Sequence, residues 1–163
     1  MTYDDQKRIE ISVTEQKLIL KDDAYIHSFS VSTALNGTGQ ANGSGCTPLG
    51  RHKIRIKIGN DCPLNTVFIG RRPTGEIFNP QLAVQYPQRD WILTRIIWLT
   101  GCEPGFNRGG NQDTLRRFIY IHGTPDSEPM GKPLSHGCIR MRNEDIARLF
   151  ELVETGMPVF INN

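Results

Sequence analysis

A cysteine preceded by glycine is the residue of this sequence best suited to nucleophilic chemistry. Cys138 follows Ser135, His136 and Gly137, and another histidine, His122, lies sixteen positions upstream. A thiol attacks a carbonyl carbon as the thiolate, so a base or a cation near the sulfur must lower its pKa from about 8.5. The sequence therefore predicts a cysteine acyl-transfer enzyme in which Cys138 is the nucleophile and His122 is its base.

The same segment can stabilise the negative charge that develops on the attacked carbonyl oxygen. Backbone N–H groups do this best where the neighbouring side chains are small. Gly137 has no side chain, so the N–H groups of Gly137 and Cys138 are predicted to form the oxyanion hole. His122 ends a predicted strand, and a rigid element of this kind can direct a side chain accurately.

Strands are the main elements that must position these residues. Alternating apolar and polar residues, or short β-branched runs, indicate strands. Such patterns occur at residues 9–13, 17–20, 26–33, 53–58, 68–70, 75–78, 91–99, 118–121, 139–141 and 159–161. The segment 53–58 has one polar face, and Pro73 marks a predicted turn between the two short strands around it.

One helix is predicted near the C-terminus, with Asn143 as its N-cap and two acidic residues in its first turn. Its apolar residues fall at helical spacing and are Ile146, Leu149, Phe150 and Val153. Residues 36–50 and 101–116 are glycine-rich loops that are long enough to be functional. The whole chain, residues 1–163, is thus predicted to be one mostly-β domain with one C-terminal α-helix.

Composition excludes several classes of partner. Nineteen Lys and Arg residues against seventeen Asp and Glu residues give a formal net charge of only +2, which gives no reason to expect nucleic acid. No apolar run approaches the roughly 20 residues of a membrane-spanning helix, so no membrane insertion is expected. Residues 1–10 lack the apolar region of a secretory signal, and we expect a cytoplasmic protein, or a periplasmic one if a leader has been removed.

The four cysteines are expected to be free thiols, because they are widely spaced and a reducing cytosol disfavours disulfides. Besides Cys138 they are Cys46, Cys62 and Cys102. No cofactor is predicted. Zinc held by His122, His136 and Cys138 is a competing hypothesis, but the sequence offers no accompanying fourth ligand.

Three segments of the sequence resemble the YkuD-type L,D-transpeptidase family. IHGT at 121–124 and SHGCIRM at 135–141 are similar to the family's His-Gly and Ser/Thr-His-Gly-Cys signature with its nearby Arg. TPLGRHKI at 47–54 resembles another family segment, with His52 where an aromatic residue is usual. Residues 143–161 are similar to the closing helix and strand, so the resemblance covers about residues 9–161.

The resemblance implies a single-domain mixed β-sandwich that acts on peptidoglycan stem tetrapeptides. Cys138 would cleave the bond between the L-centre of meso-diaminopimelate and terminal D-alanine. The Gly123 carbonyl would orient the His122 ring, and His136 would act beside the nucleophile. Ser135 and Arg140 would contact the substrate. A carbapenem would acylate the cysteine.

The acyl acceptor stays open at this stage. Water would give an L,D-carboxypeptidase of peptidoglycan recycling, which the expected cytosolic location favours. An amine would give an L,D-transpeptidase that forms 3-3 cross-links or exchanges D-amino acids. A catalytically idle module that binds stem peptides is the alternative from another class.

Overall fold

A computed structural model describes residues 6–163, which form ten strands and two α-helices. The strands are Arg8–Ser12 (β1), Lys17–Lys21 (β2), Ile26–Ser30 (β3), Gly50–Ile58 (β4), Thr66–Ile69 (β5), Arg72–Ile77 (β6), Ile92–Gly101 (β7), Tyr120–Gly123 (β8), Ile139–Met141 (β9) and Pro158–Asn162 (β10). The helices are Pro80–Gln85 (α1) and Asn143–Leu152 (α2). No helix in this part of the chain is long and apolar enough to cross a bilayer.

The ten strands belong to one curled, mixed sheet. Its order is β3-β2-β1-β10-β4-β7-β5-β6, and β7 also pairs with β8, which in turn pairs with β9. β1 lies parallel to β10 and β8 parallel to β9, whereas the other pairs are antiparallel. The buried apolar side chains of eight of these strands and of α2 form one main core. The prediction of a mostly-β fold with mixed strands is confirmed.

Two β-bulges bend strands of the sheet, and the second of them lies next to the predicted site. In β4 the pairing with β7 shifts between Ile54 and Ile56, and in β7 the pairing with β8 shifts between Leu93 and Ile96. Bulges bend the strand that carries them. Within the second bulge Thr94 has a φ of 73°, and its hydroxyl donates to Asn143 Oδ1. This contact ties β7 to the start of α2.

Four details of the sequence prediction are wrong. A second helix, α1, begins with Pro80 behind its N-cap Asn79, whose side chain accepts the Leu82 N–H. Asn143 is not the N-cap of α2, because Arg142 occupies that position. The buried Asn143 side chain instead donates to the Thr124 carbonyl.

The other two differences concern turns and strand ends. The hairpin between β5 and β6 turns at Gly70 and Arg71, which both have positive φ, as type I′ turns require. Pro73 lies within β6, an edge strand, where its missing N–H is tolerated. β8 runs two residues later than predicted, so His122 lies within the strand and Phe118 lies outside it.

Candidate active site

Cys138 lies at the entrance to β9, directly after a glycine in an unusual conformation. Gly137 has a φ of +133°, and a Cβ there would lie 3.3 Å from the Cys46 carbonyl oxygen, which few side chains tolerate. The Cys138 thiol donates to the Phe118 carbonyl at 3.3 Å, and its sulfur accepts the Tyr120 N–H at 3.3 Å. Phe118 itself has a φ of 57°, which is uncommon for an aromatic residue and places its carbonyl against the thiol.

Burial keeps the Cys138 thiol protonated. Although the residue keeps some exposure, desolvation of the sulfur raises the pKa of Cys138 to about 12, and the Tyr120 N–H offsets this only in part. The sequence argument required a lowered thiol pKa, and the resting protein shows the opposite direction. A resting thiolate at Cys138 is therefore disfavoured.

His122 is held as a neutral imidazole with one nitrogen available. Its side chain is buried, and its Nδ1 lies 2.6 Å from the Gly123 carbonyl oxygen. Since a carbonyl only accepts hydrogen bonds, Nδ1 carries the proton and Nε2 keeps a lone pair. Burial lowers the pKa of His122, although the Gly123 carbonyl acts in the opposite direction. The ring is therefore a base that stays uncharged at neutral pH.

Position 123 has to be glycine, because there is no space for a side chain. A Cβ at this position would lie 2.5 Å from the Leu93 carbonyl oxygen and 2.6 Å from Asn143 Oδ1. Contacts below 3.0 Å require the surrounding backbone to move. Glycine is thus needed for β8, the β7 bulge and α2 to meet behind the imidazole.

His122 and Cys138 line one cavity of about 240 Å³. No hydrogen bond joins the ring to the sulfur in the part of the chain that the structure describes. The resting pair is neutral thiol and neutral imidazole, and not an ion pair. Proton transfer between them needs a small adjustment when substrate enters, which is common for sites without bound substrate.

Two hydroxyl groups hold the loop that precedes Cys138. Ser135 Oγ donates to the Cys138 carbonyl at 2.5 Å and accepts the Gly137 N–H at 3.2 Å. Thr47 Oγ1 donates to the Gly137 carbonyl at 2.9 Å and accepts the Ala34 N–H at 3.0 Å. The Thr47-Pro48 segment that the sequence singled out therefore supports the nucleophile from behind.

The two predicted oxyanion donors are in different situations. The Cys138 N–H donates to no protein acceptor within residues 6–163. The Gly137 N–H is occupied by Ser135 Oγ and would have to leave it to bind a substrate oxygen. Ser135 itself is buried and bonded within its own loop.

Asp90 links the other two predicted site residues at the mouth of the cavity. Its Oδ1 lies 3.2 Å from Arg140 Nη2, and its Oδ2 lies 3.5 Å from His136 Nδ1. Arg140 is buried on β9 and also donates to the Leu134 carbonyl, whereas the side chain of His136 is 73% exposed. No sequence motif points to Asp90, a lone acid before the β7 strand.

Sequence reasoning also missed two arginines that line the cavity. Arg117 Nη2 donates to the Cys46 carbonyl at 2.7 Å and Nη1 to the Gly39 carbonyl at 3.2 Å, so it fixes the 36–50 loop beside the site. Burial lowers the pKa of Arg117. Arg71 stands over the Trp98 and Phe118 rings from the β5–β6 turn. The roles of these two arginines follow only from the contacts that they make in the folded protein.

The polar residues of the second long loop, 101–116, do not line the cavity around Cys138. Asn107 is buried and donates to the carbonyls of Leu49 and Arg51. Arg108 and Asp113 line a different cavity from the one that contains Cys138. Within residues 6–163 no three His, Cys, Asp or Glu side chains are close enough to share a metal ion.

The sequence profile of the YkuD L,D-transpeptidase catalytic domain matches residues 6–161. The chain belongs to this L,D-transpeptidase family. It is 32% identical over 106 residues to the probable L,D-transpeptidase YbiS of Escherichia coli (strain K12), across 63% of this chain and 34% of that protein. It is 48% identical over 60 residues to the putative L,D-transpeptidase YkuD of Bacillus subtilis (strain 168), across 36% and 37% of the two chains. The aligned part is thus about a third of these relatives' length.

Solved structures of L,D-transpeptidases share the fold. An L,D-transpeptidase from Mycobacterium smegmatis superposes with a TM-score of 0.59 at 16% identity, over 97% of this chain and 59% of that one. L,D-transpeptidase 3 from Mycobacterium tuberculosis, in complex with a faropenem-derived adduct, gives 0.59 at 15% identity, over 96% and 60%. At this identity the likeness concerns the fold alone.

Proposed function

We propose that this L,D-transpeptidase domain cleaves stem tetrapeptides at the bond between the L-centre of meso-diaminopimelate and D-alanine, through an acyl-enzyme on Cys138. The observation that carries the proposal is the cavity shared by the Cys138 thiol and the neutral His122 ring. The ring's Nδ1 is bonded to the Gly123 carbonyl, so Nε2 is the nitrogen that can take a proton. Membership of the family supports the choice of substrate.

The first half-reaction forms a thioester. As Cys138 Sγ attacks the scissile carbonyl carbon, the thiol proton moves to His122 Nε2 and the carbonyl oxygen becomes negative. The unbonded Cys138 N–H is the first donor for that oxygen, and the Gly137 N–H joins it by leaving Ser135 Oγ. The C–N bond then breaks, the imidazolium protonates the leaving amine, and D-alanine departs.

We propose water as the acceptor for the second half-reaction, which makes the protein an L,D-carboxypeptidase. The cavity of about 240 Å³ is smaller than the roughly 300–1,000 Å³ of typical ligand pockets. It suits one peptide end and a water better than two peptides. Water attacks the thioester carbon, His122 takes its proton, and the thiol is restored.

A specific observation favours transpeptidation as the second candidate. A neighbouring cavity of about 440 Å³ shares Asp90, His136 and Arg140 with the first. An acceptor amine could approach the thioester from that side. In both cases Arg140, with its guanidinium oriented by Asp90 at the boundary between the cavities, is proposed to bind a substrate carboxylate.

We also propose a cytosolic location. All four cysteines are free thiols, as expected in a reducing compartment. Cell fractionation of the native host, followed by immunodetection, tests this directly. Recovery of the protein outside the cytosolic fraction would contradict it.

Mass spectrometry of the products distinguishes the two acceptors. The protein is incubated with a tetrapeptide, with and without an added D-amino acid. Loss of D-alanine alone supports the carboxypeptidase, and exchange of the fourth residue supports the transpeptidase. If neither product forms, and Cys138→Ala matches the wild type, the domain is an idle binding module and the proposal is wrong.

A carbapenem provides a second test of the nucleophile. We expect incubation to increase the intact mass of the wild type by one drug molecule, and to leave Cys138→Ala unmodified. Equal modification of both proteins would place the reactive thiol elsewhere.

A further inference from the structure

A second cavity of about 850 Å³ lies apart from Cys138 and is lined by cationic side chains. β4 contributes Lys53 and Arg55, and the 101–119 loop contributes Arg108 and Arg116. All four are exposed, and within residues 6–163 none of them forms an ion pair or a side-chain hydrogen bond. We call the cavity that these four residues line the basic groove.

The single acid of the groove does not neutralise these cations by pairing. Asp113 Oδ1 accepts the Gly109 N–H at 2.6 Å, and Oδ2 accepts the Arg116 N–H at 2.9 Å. Burial alone would raise the pKa of Asp113, but the two N–H donors and the nearby charges of Arg116 and Arg108 outweigh it and lower that pKa. The carboxylate therefore shapes the loop, and because four cations face this one acid, the lining keeps an excess of positive charge.

The groove is built on rigid elements. Lys53 pairs with Thr100 in β7, and Arg55 is the unpaired residue of the β4 bulge, which adds a second cation to the outer surface. Between them Ile54 is bonded through its backbone to Gly156, which also lines the groove, and to Met157. His52 joins β4 to the loop, because its Nε2 lies 3.0 Å from Thr114 Oγ1.

The chemistry of the lining selects among anionic ligands. Four separate cations around about 850 Å³ exceed what one phosphate can engage, so the site fits several anionic groups in sequence. Three of the four are arginines, whose planar forks match phosphate oxygens. No aromatic side chain lines the groove, so nothing there can stack on nucleic-acid bases.

We propose that the basic groove is a second binding site, which holds a linear phosphodiester polymer without aromatic bases. It lies beside the catalytic cavity, since Leu115 and Arg116 line the groove while Arg117 and Phe118 line the cavity around Cys138.

Fluorescence anisotropy with a labelled abasic phosphodiester oligomer of about ten phosphates tests the proposal. We expect Lys53→Glu/Arg55→Glu to weaken binding at least about tenfold and to make it less dependent on salt, since fewer counterions are released. Arg108→Glu, in the loop, is expected to act in the same direction, which guards against misfolding of the strand variant. Lys17→Glu/Arg148→Glu changes the net charge equally at exposed positions outside the groove and is expected to stay within twofold of wild type.

The remaining measurements test whether binding in the groove is independent of catalysis and whether it is selective for phosphodiesters. Cys138→Ala should bind the oligomer like wild type, and Lys53→Glu/Arg55→Glu should keep turnover of the free tetrapeptide. The proposal is overturned if the control pair weakens binding as much as the groove pair. It is also overturned if an oligothymidylate of equal length binds more than about tenfold tighter, or if oligoglutamate binds as well.

Discussion

The catalytic cavity and the basic groove handle charge in opposite ways. Around Cys138 the ionised groups have partners: Asp90 meets Arg140 and His136, and Arg117 donates to backbone carbonyls. In the groove the four cations form no ion pair among the described residues, and only one carboxylate, Asp113, lies near them. In the catalytic cavity, short-range contacts hold the charged groups in place, and desolvation shifts the pKa values of Cys138 and His122. The basic groove instead acts through a longer-range electrostatic field, which salt screens.

The most severe test of this comparison is removal of the thiol. Cys138→Ala is expected to lower kcat/KM for tetrapeptide by at least roughly 10³-fold, because it removes the proposed site of the acyl-enzyme. Mass spectrometry of D-alanine release measures the effect. Cys102→Ala, another free thiol, serves as the control and should keep its activity. Retention of activity in Cys138→Ala would show that Cys138 is not the nucleophile and that the reaction does not depend on its thiol.

The second prediction concerns the buried histidine below the groove. Burial lowers the pKa of His52 from 6.5 to about 4, against the opposing effect of the Gly50 carbonyl. The unfolded chain therefore binds more protons between these values, so stability falls as the pH decreases from about 6.5 to 4. The difference amounts to about 3 kcal/mol.

Urea unfolding at several pH values, wild type against His52→Phe, measures this dependence. The variant loses the bond to Thr114, so its stability at neutral pH differs, but its decline in acid should be shallower. Half-buried His27, changed to Gln, provides the control and should keep the wild-type slope. Parallel pH profiles of wild type and His52→Phe would show that His52 is not the group responsible.

The third prediction tests the rigidity of the cavity. Gly137→Ala places a Cβ against the Cys46 carbonyl at a φ of +133°, which costs about 2 kcal/mol and is expected to lower kcat/KM about 30-fold. Gly131→Ala is a matched control in the same loop, since Gly131 also has a positive φ but nothing lies within 4 Å of its Cβ position. Equal losses in both variants would mean that backbone strain alone, and not the contact at the nucleophile, explains the effect.

The smallest effect is expected for the ion pairs at the cavity mouth. Asp90→Asn removes the charge that orients Arg140 and His136; Arg140 is buried, but the Asp90 side chain is 46% exposed, and pairs open to solvent on one side are worth about 1 kcal/mol. We expect a loss of about fivefold in kcat/KM, mainly through KM, in steady-state kinetics. Asp23→Asn, in an exposed turn, should be neutral. A wild-type KM for Asp90→Asn would argue against a role of the Asp90 pairs in substrate binding.

Local patterns predicted the strands well, because side-chain alternation is a property of neighbouring residues. β1, β2, β4, β7, β9 and β10 and helix α2 all lie where periodicity placed them, within a few residues at their ends. The errors occur where a tertiary contact outweighs local preference. Asn143 has the composition of a cap, yet its buried contacts to Thr94 and Thr124 fix it one position inside the helix.

The sequence by itself determined the family, and it predicted the pair Cys138 and His122 and contains the glycines on which their backbone depends. Those features follow from residue type and spacing along the chain. Only the tertiary structure decided the protonation state of the pair, since desolvation depends on what surrounds the sulfur and the ring. It likewise decided the roles of Asp90, Arg71 and Arg117, and gathered the basic groove from a strand and a distant loop, because charges far apart in sequence become neighbours only when the sheet curls.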